Sequence, residues 1–269
     1  MNGKIIIVGA GNMGKSLMKG LISSGHSDLS LSIYDQHVEK LEAFNTEPSV
    51  NVISDPKSLN LTDAVVVLCI KPHDLEEFGK AFADTLSQKS VIISILAGIK
   101  INKLKQVLGF NGPVIRTMPN IAALYGCAAT AMCQNGQCSD NDRDVAEKIF
   151  KSVGEAYWTK ESLMDTVTGL SGSGPAYIYM VIEALTEGGV KMGLPRELSA
   201  SLSVQTVLGA ATMVKESGVH PAILKDQVST PGGTTISALH ALEGHGLRSM
   251  FVDAVCIATE RSAFLGREE

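Results

Sequence analysis

The chain has 269 residues, 45% of them apolar, with 23 basic and 28 acidic side chains and a formal net charge of −5. That length fits one or two domains around a substantial core, and a mildly acidic chain without a basic run excludes nucleic acid or an anionic membrane as its main partner. No apolar run approaches the ~18 residues of a spanning helix, and Met1-Asn2-Gly3-Lys4 enters an apolar run directly, which leaves no room for a signal peptide and predicts a cytoplasmic protein.

Up to Met118, short apolar runs alternate with amphipathic stretches. Strands are predicted at 4–9, 30–34, 50–53, 64–70, 91–95 and 113–118, and helices at 13–24, 38–44, 74–86 and 101–108. The run at 64–70 is continuously apolar, as expected of a strand buried on both faces. Strands alternating with helices predict βαβ units and a parallel sheet. A helix is predicted at 140–153, with Asp140 as its N-cap, and a last strand at 154–159. From Glu161 onward strand alternation ends. Helices are predicted at 176–192, 196–217, 236–242 and 247–264, apolar and rich in Gly, Ala and Ser, which suits packing between other helices. The reading is an α/β domain over 1–160 and an all-α domain over 161–269, whose exposed apolar faces favour a dimer.

The five cysteines, Cys69, Cys127, Cys133, Cys138 and Cys256, are odd in number, and no second Cys or His cluster completes a zinc set. They read as reduced thiols in a reducing compartment, and no metal is expected.

Gly9-Ala10-Gly11-Asn12-Met13-Gly14 fits G-x-G-x-x-G between a predicted strand and a predicted helix. The first glycine permits the tight turn, the second lets a pyrophosphate approach the backbone, and the third lets helix pack on strand. The helix start then offers free N–H groups to the phosphates. This makes the first domain a Rossmann-type, mainly parallel sheet that binds a dinucleotide. Asp35 ends the second strand about 20 residues past Gly14, where an acid accepts from a ribose 2′-hydroxyl and repels a 2′-phosphate, favouring NADH; the other reading is a solvated aspartate or a cap for the next helix. Ile70-Lys71-Pro72, Ala97-Gly98 and Met118-Pro119-Asn120 follow further strands, at the ends where ligands bind in open α/β sheets. Lys71 faces phosphate or ribose, or is a surface lysine at a turn. Asn120 is placed to hydrogen-bond the nicotinamide region.

The stretch Leu224 to Thr235, LKDQVSTPGGTT, is a hydroxyl- and glycine-rich loop opening an apolar helix. Free N–H groups at such a start bind a carboxylate, or the loop is an ordinary capped start. Asp226 to Glu243 resembles the C-terminal signature of pyrroline-5-carboxylate reductases. So do Val167 to Tyr177 and Gly189 to Arg196, and the glycine turn, Lys71-Pro72 and Met118-Pro119-Asn120 fit as well. The resemblance covers nearly the whole chain. It implies reduction of 1-pyrroline-5-carboxylate to L-proline with NADPH or NADH, an active site between the two domains, and a homodimer that assembles further into a decamer. Carried onto this sequence, it implies Thr235 as the substrate-contacting and catalytic threonine, with Val228, Thr230, Gly233 and Thr234 on the same loop and Glu161 as an acidic position at the substrate site. Gln227 stands where the family often has another polar residue near the cofactor. The chain departs at Asp35, where many members carry residues suited to a 2′-phosphate, and at Pro56, where an Asn sometimes assists.

His73 is the one histidine singled out beside the crevice, and it reads as a helix-start residue. Tyr177, Tyr179 and Met180 read as core or dimer contacts. The rival readings are a β-hydroxyacid dehydrogenase, with Lys191 as the nearest candidate for its catalytic lysine, and a non-catalytic dinucleotide-binding protein.

Overall fold

The computed structural model describes residues 3–25 and 29–268; Met1 and Asn2, part of the expectation that no leader is present, lie outside them. The chain forms two compact units, Met1–Ser173 with Ile257–Glu269, and Gly174–Cys256.

The first unit is built on one eight-stranded sheet, in the order β3-β2-β1-β4-β5-β6-β7-β8. The strands are β1 (Lys4–Val8), β2 (Ser30–Tyr34), β3 (Val50–Ile53), β4 (Val65–Leu68), β5 (Val91–Ser94), β6 (Val114–Met118), β7 (Ala128–Gln134) and β8 (Gly154–Trp158). All neighbours are parallel except β6 and β7. The continuous apolar runs are explained by layers on both faces. In β1, Ile5 and Ile7 join one core cluster and Ile6 and Val8 the other, and in β4 Val65 and Val67 oppose Val66 and Leu68 in the same way. A side chain so buried contributes about 1.5–3 kcal/mol relative to exposure.

The helices of this unit are α1 (Asn12–Ser23), α2 (Leu75–Phe82), α3 (Ile101–Val107), α4 (Asp140–Lys151) and α5 (Met164–Val167). Residues Val38–Phe44 keep the predicted bounds but wind as a 3-10 helix, and the predicted 74–86 helix is α2 flanked by 3-10 turns. Two expectations are corrected. The antiparallel strand β7 is absent from the predicted elements, because AATAMCQ carries one threonine and small residues rather than a β-branched run. The cap of α4 is Ser139 rather than Asp140: the Ser139 hydroxyl accepts the Asp142 N–H at 3.2 Å and the Asp142 carboxylate accepts the Ser139 N–H at 2.8 Å, a reciprocal capping box.

The second unit holds α6 (Gly174–Lys191), α7 (Arg196–Ser217), α8 (Pro221–Gln227), α9 (Thr234–Gly244) and the start of α10 (Leu247–Glu268). α6 and α7 approach closely through small residues. A methyl group on Gly189 would lie 2.2 Å from the Ser199 Oγ, and that hydroxyl donates to the Thr186 carbonyl at 2.7 Å. The large apolar residues of these helices face outward: Tyr179, Met180, Leu208 and Met213 are all exposed. Patches of this kind mark association surfaces. Among the described residues no helix is long and apolar enough to cross a membrane.

Candidate active site

The register sets three strand ends level. Val8 pairs with Tyr34 on one side and Leu68 on the other, so Gly9, Asp35 and Cys69 follow side by side. Here the strand order turns back on itself between β1 and β4, which is where open α/β sheets bind ligands. Gly9 donates to the Tyr34 carbonyl at 2.7 Å with a φ of 105°, and a Cβ there would lie 2.6 Å from the Cys69 carbonyl oxygen. A Cβ on Gly14 would lie 1.9 Å from the Gly9 carbonyl oxygen. Gly11 differs: a Cβ there meets nothing within 4 Å. It is the exposed N-cap of α1, without a side-chain cap, so no side chain covers the first-turn N–H groups that begin at exposed Asn12 and half-buried Met13. Two glycines are therefore demanded by the protein's own packing and one is left for a guest, which fits a dinucleotide pyrophosphate.

Asp35 is buried and doubly engaged. Its Oδ2 accepts the Ala10 N–H at 2.7 Å and its Oδ1 accepts the His37 N–H at 2.8 Å, while the Lys40 Nζ lies 3.4 Å from Oδ1. Beside it opens a cavity of about 560 Å³ lined by residues that include Gly9, Gly11, Asp35, Lys40, Ile70 and Lys71. Tyr34 and Phe82 meet edge to face at 5.7 Å, with Phe78 against Phe82; all three line the cavity and give it an aromatic wall. Pro56 and His73 also line it. Cys69 is pushed far above the ordinary thiol range by burial, so no thiolate stands at this strand end.

The remaining predicted residues of this unit lie elsewhere on it. Pro72 opens the turn before α2. Gly98 has a φ of 81°, and its carbonyl oxygen would lie 3.0 Å from a Cβ on Gly266 of α10. Ala97 precedes it after β5. Asn120 has its amide engaged: the NH₂ donates to the Ser171 carbonyl at 2.9 Å and the oxygen accepts the Ala129 N–H at 3.4 Å. Ser171 lies in a π-helical turn, Thr168–Gly172, a geometry often found at functional sites. Glu161 accepts the Ile101 N–H at the start of α3, at 2.8 Å, and lies 3.5 Å from the Arg116 guanidinium. Sequence reasoning missed Arg116, whose signal was a single cation inside the apolar strand β6. It also missed Lys40.

In the second unit the loop between α8 and α9 is shaped by hydroxyls and glycines. Gly232 has a φ of 67°, a backbone region that favours glycine. A Cβ on Gly233 would lie 2.3 Å from the Thr230 Oγ1, so only glycine lets that hydroxyl in. Gly233 is the N-cap of α9 and supplies no side-chain cap, which leaves the first-turn N–H groups at Thr234 and Thr235 open. Thr235 is half-buried, while Val228, Thr230 and Thr234 are exposed. Gln227 ends α8, a short helix where the sequence pattern predicts a loop. The arrangement offers N–H donors and a hydroxyl side by side, a set suited to a small molecule carrying a carboxylate and a second polar atom.

Residues 161–265 match the family described as pyrroline-5-carboxylate reductase dimerisation, and residues 4–98 match NADP oxidoreductase, coenzyme F420-dependent. The chain is 39% identical to a pyrroline-5-carboxylate reductase of Arabidopsis thaliana, over 98% of this chain and 96% of that protein. A solved pyrroline-5-carboxylate reductase from Coxiella burnetii superposes with a TM-score of 0.92 at 32% identity, over 98% of this chain and 99% of the other. A Plasmodium falciparum pyrroline carboxylate reductase solved with NADP bound gives a TM-score of 0.83 at 31% identity, over 98% of each chain.

Proposed function

The chain belongs to the pyrroline-5-carboxylate reductase family, and from that premise we infer how its residues work. It is an NAD(P)-dependent oxidoreductase that reduces the ring C=N bond of 1-pyrroline-5-carboxylate to give L-proline. The near-full-length likeness to reductases of this one reaction carries the reading and sets aside the hydroxyacid dehydrogenase and the non-catalytic binder. We propose that the step serves proline biosynthesis, in the cytoplasm.

The bound cofactor supplies a hydride from the reduced nicotinamide to the imine carbon. The glycine turn and the first turn of α1 hold the pyrophosphate, with Ile70, Lys71 and Pro72 beside it and Ala97, Gly98 and Asn120 toward the nicotinamide. Asp35 meets the adenosine ribose, where its charge leans toward NADH. The open N–H groups at the start of α9 bind the substrate carboxylate. The Thr235 hydroxyl, which has no hydrogen-bond partner among the described residues, bonds the ring nitrogen and orients it or relays its proton. Val228, Thr230 and Thr234 shape the rim of that site, and Gly233 admits the Thr230 hydroxyl. Glu161 acts through α3, which it anchors. Holding two reacting carbons in near-attack geometry supplies ~7–11 kcal/mol at best, so positioning accounts for much of the rate without a side-chain acid of shifted pKa.

The outward apolar faces of α6 and α7, within the segment that matches the dimerisation family, support a homodimer; further assembly into a decamer is proposed from the family resemblance alone. The reaction is tested by NADH and NADPH oxidation rates measured side by side with pyrroline-5-carboxylate and with a panel of hydroxyacids. Turnover confined to the imine is expected; turnover of a hydroxyacid alone, or of neither class, overturns the reading.

A further inference from the structure

We propose that Lys40 decides whether this chain accepts a 2′-phosphorylated dinucleotide, by opposing the charge of Asp35 where the adenosine ribose sits. The inference rests on the dinucleotide reading given above.

Asp35 has three donors in reach, and they differ in kind. The N–H groups of Ala10 and His37 are main-chain and sit at 2.7 and 2.8 Å. The Lys40 ammonium, at 3.4 Å, is the one of the three with a full charge. The two backbone bonds hold the carboxylate in place whatever residue 40 is, so the side chain of Lys40 is not needed to shape the glycine turn. What it contributes is charge and reach. The Asp35 side chain is 7% exposed and the Lys40 side chain 42%, so the acid is fixed in the wall while the ammonium is carried on a flexible, partly solvated stem.

The cavity beside the pair is otherwise acidic. Among the described residues, and apart from the pair, Asp74 and Glu77 line it against the single cation Lys71, and His37 and His73 line it as well. His37 lies 3.7 Å from Glu39 and His73 lies 3.4 Å from Asp74, so each histidine already faces an acid of its own. A 2′-phosphate adds about two negative charges to this wall. Lys40 is the cation that stands between that phosphate and Asp35. With it, the site takes either dinucleotide; without it, an uncompensated Asp35 rejects the phosphorylated one and keeps the 2′-hydroxyl form.

The test reads binding and needs no turnover. Isothermal titration of 2′,5′-ADP and 5′-AMP isolates the 2′-phosphate from the nicotinamide, and is run on wild type, Lys40→Met and Lys40→Arg, with NADPH and NADH as companions. In Lys40→Met the Kd for 2′,5′-ADP and NADPH is expected to rise about tenfold or more, and that for 5′-AMP and NADH to move less than about twofold. Lys40→Arg, which keeps the charge, is expected to stay near wild type. Equal weakening of both ligand classes, no weakening, or an arginine variant that behaves like the methionine one overturns the role of Lys40. A wild type that binds none of the four ligands overturns instead the dinucleotide reading beneath it.

Discussion

The Glu161 carboxylate lies 3.5 Å from the guanidinium of Arg116, a cation whose side chain is only 4% exposed. The same Glu161 oxygen accepts the Ile101 N–H, so one acid ties strand β6 to the start of α3. Arg116 is buried and Glu161 about a third exposed, so removing the acid leaves the buried cation uncompensated, whereas removing both does not. Glu161→Ala is expected to destabilise the protein by about 3 kcal/mol in urea unfolding, and Glu161→Ala with Arg116→Met by clearly less. A double variant less stable than the Glu161→Ala protein would show that the pair is not the source of the effect.

The three glycines of the turn separate on substitution. Gly14→Ala forces a Cβ to within 1.9 Å of a backbone oxygen, and overpacking of that kind costs about 1–3 kcal/mol or more. Gly11→Ala meets nothing in the protein, so its Tm is expected to stay near wild type while dinucleotide affinity falls about tenfold or more. Thermal melts paired with NADH titrations check both. A Gly11→Ala protein that binds as well as wild type would remove the pyrophosphate from that spot.

Thr235→Ala and Thr235→Val are each expected to lower kcat/KM for pyrroline-5-carboxylate on the order of 10²-fold, with the Kd for the cofactor nearly unchanged. Steady-state kinetics with direct cofactor titration distinguishes this from a folding defect. Near-wild-type turnover in both variants rules out the hydroxyl as a contact to the ring nitrogen.

Two thiols predict an alkaline signature. Burial, reinforced by the Glu161 carboxylate, pushes Cys133 up to about 11, and burial followed by Asp142 pushes Cys138 up to about 11. Unfolded, both titrate at about 8.5. A folded pKa above the unfolded one means that the stabilisation is complete below about 8.5 and is lost as pH rises toward 11. The urea midpoint of wild type should therefore fall more steeply between pH 9 and 10.5 than that of a Cys133→Ala, Cys138→Ala double variant; parallel slopes would refute the assignment.

The parts of the fold that announced themselves did so through repetition. β4 is apolar at every position, and β1 and β5 depart from that only at Lys4 and Ser94, because both faces are covered, and short runs of that kind arise mainly in strands sandwiched between two layers. The strand β7 was hidden because its small residues carry no β-branched pattern of their own and rely on pairing with β6 and β8. The helix α8 was hidden by its length and by its place inside a stretch whose glycines and hydroxyls spoke for a loop. At the site, the glycine turn and the 228–235 loop were legible because local chemistry dictates them. The anchoring of Glu161 was not, since Arg116 stands far from it in the chain and nothing local to either residue points to the other. The engagement of the Asp35 carboxylate by Ala10 was equally invisible: an acid at the end of a strand looks the same whether it faces a ligand or its own backbone.

That engagement bears on how such a protein changes its redox partner over generations of substitution. Where the acid at the end of the second strand touches only the ribose, replacing it is a free move. Here the carboxylate also pins the peptide between Gly9 and Ala10, so its loss would loosen the turn before any new preference is gained. A change of cofactor preference is therefore expected to be tolerated best at exposed Gln36 and His37 and at half-buried Lys40, where residues can vary without the glycine turn losing its shape.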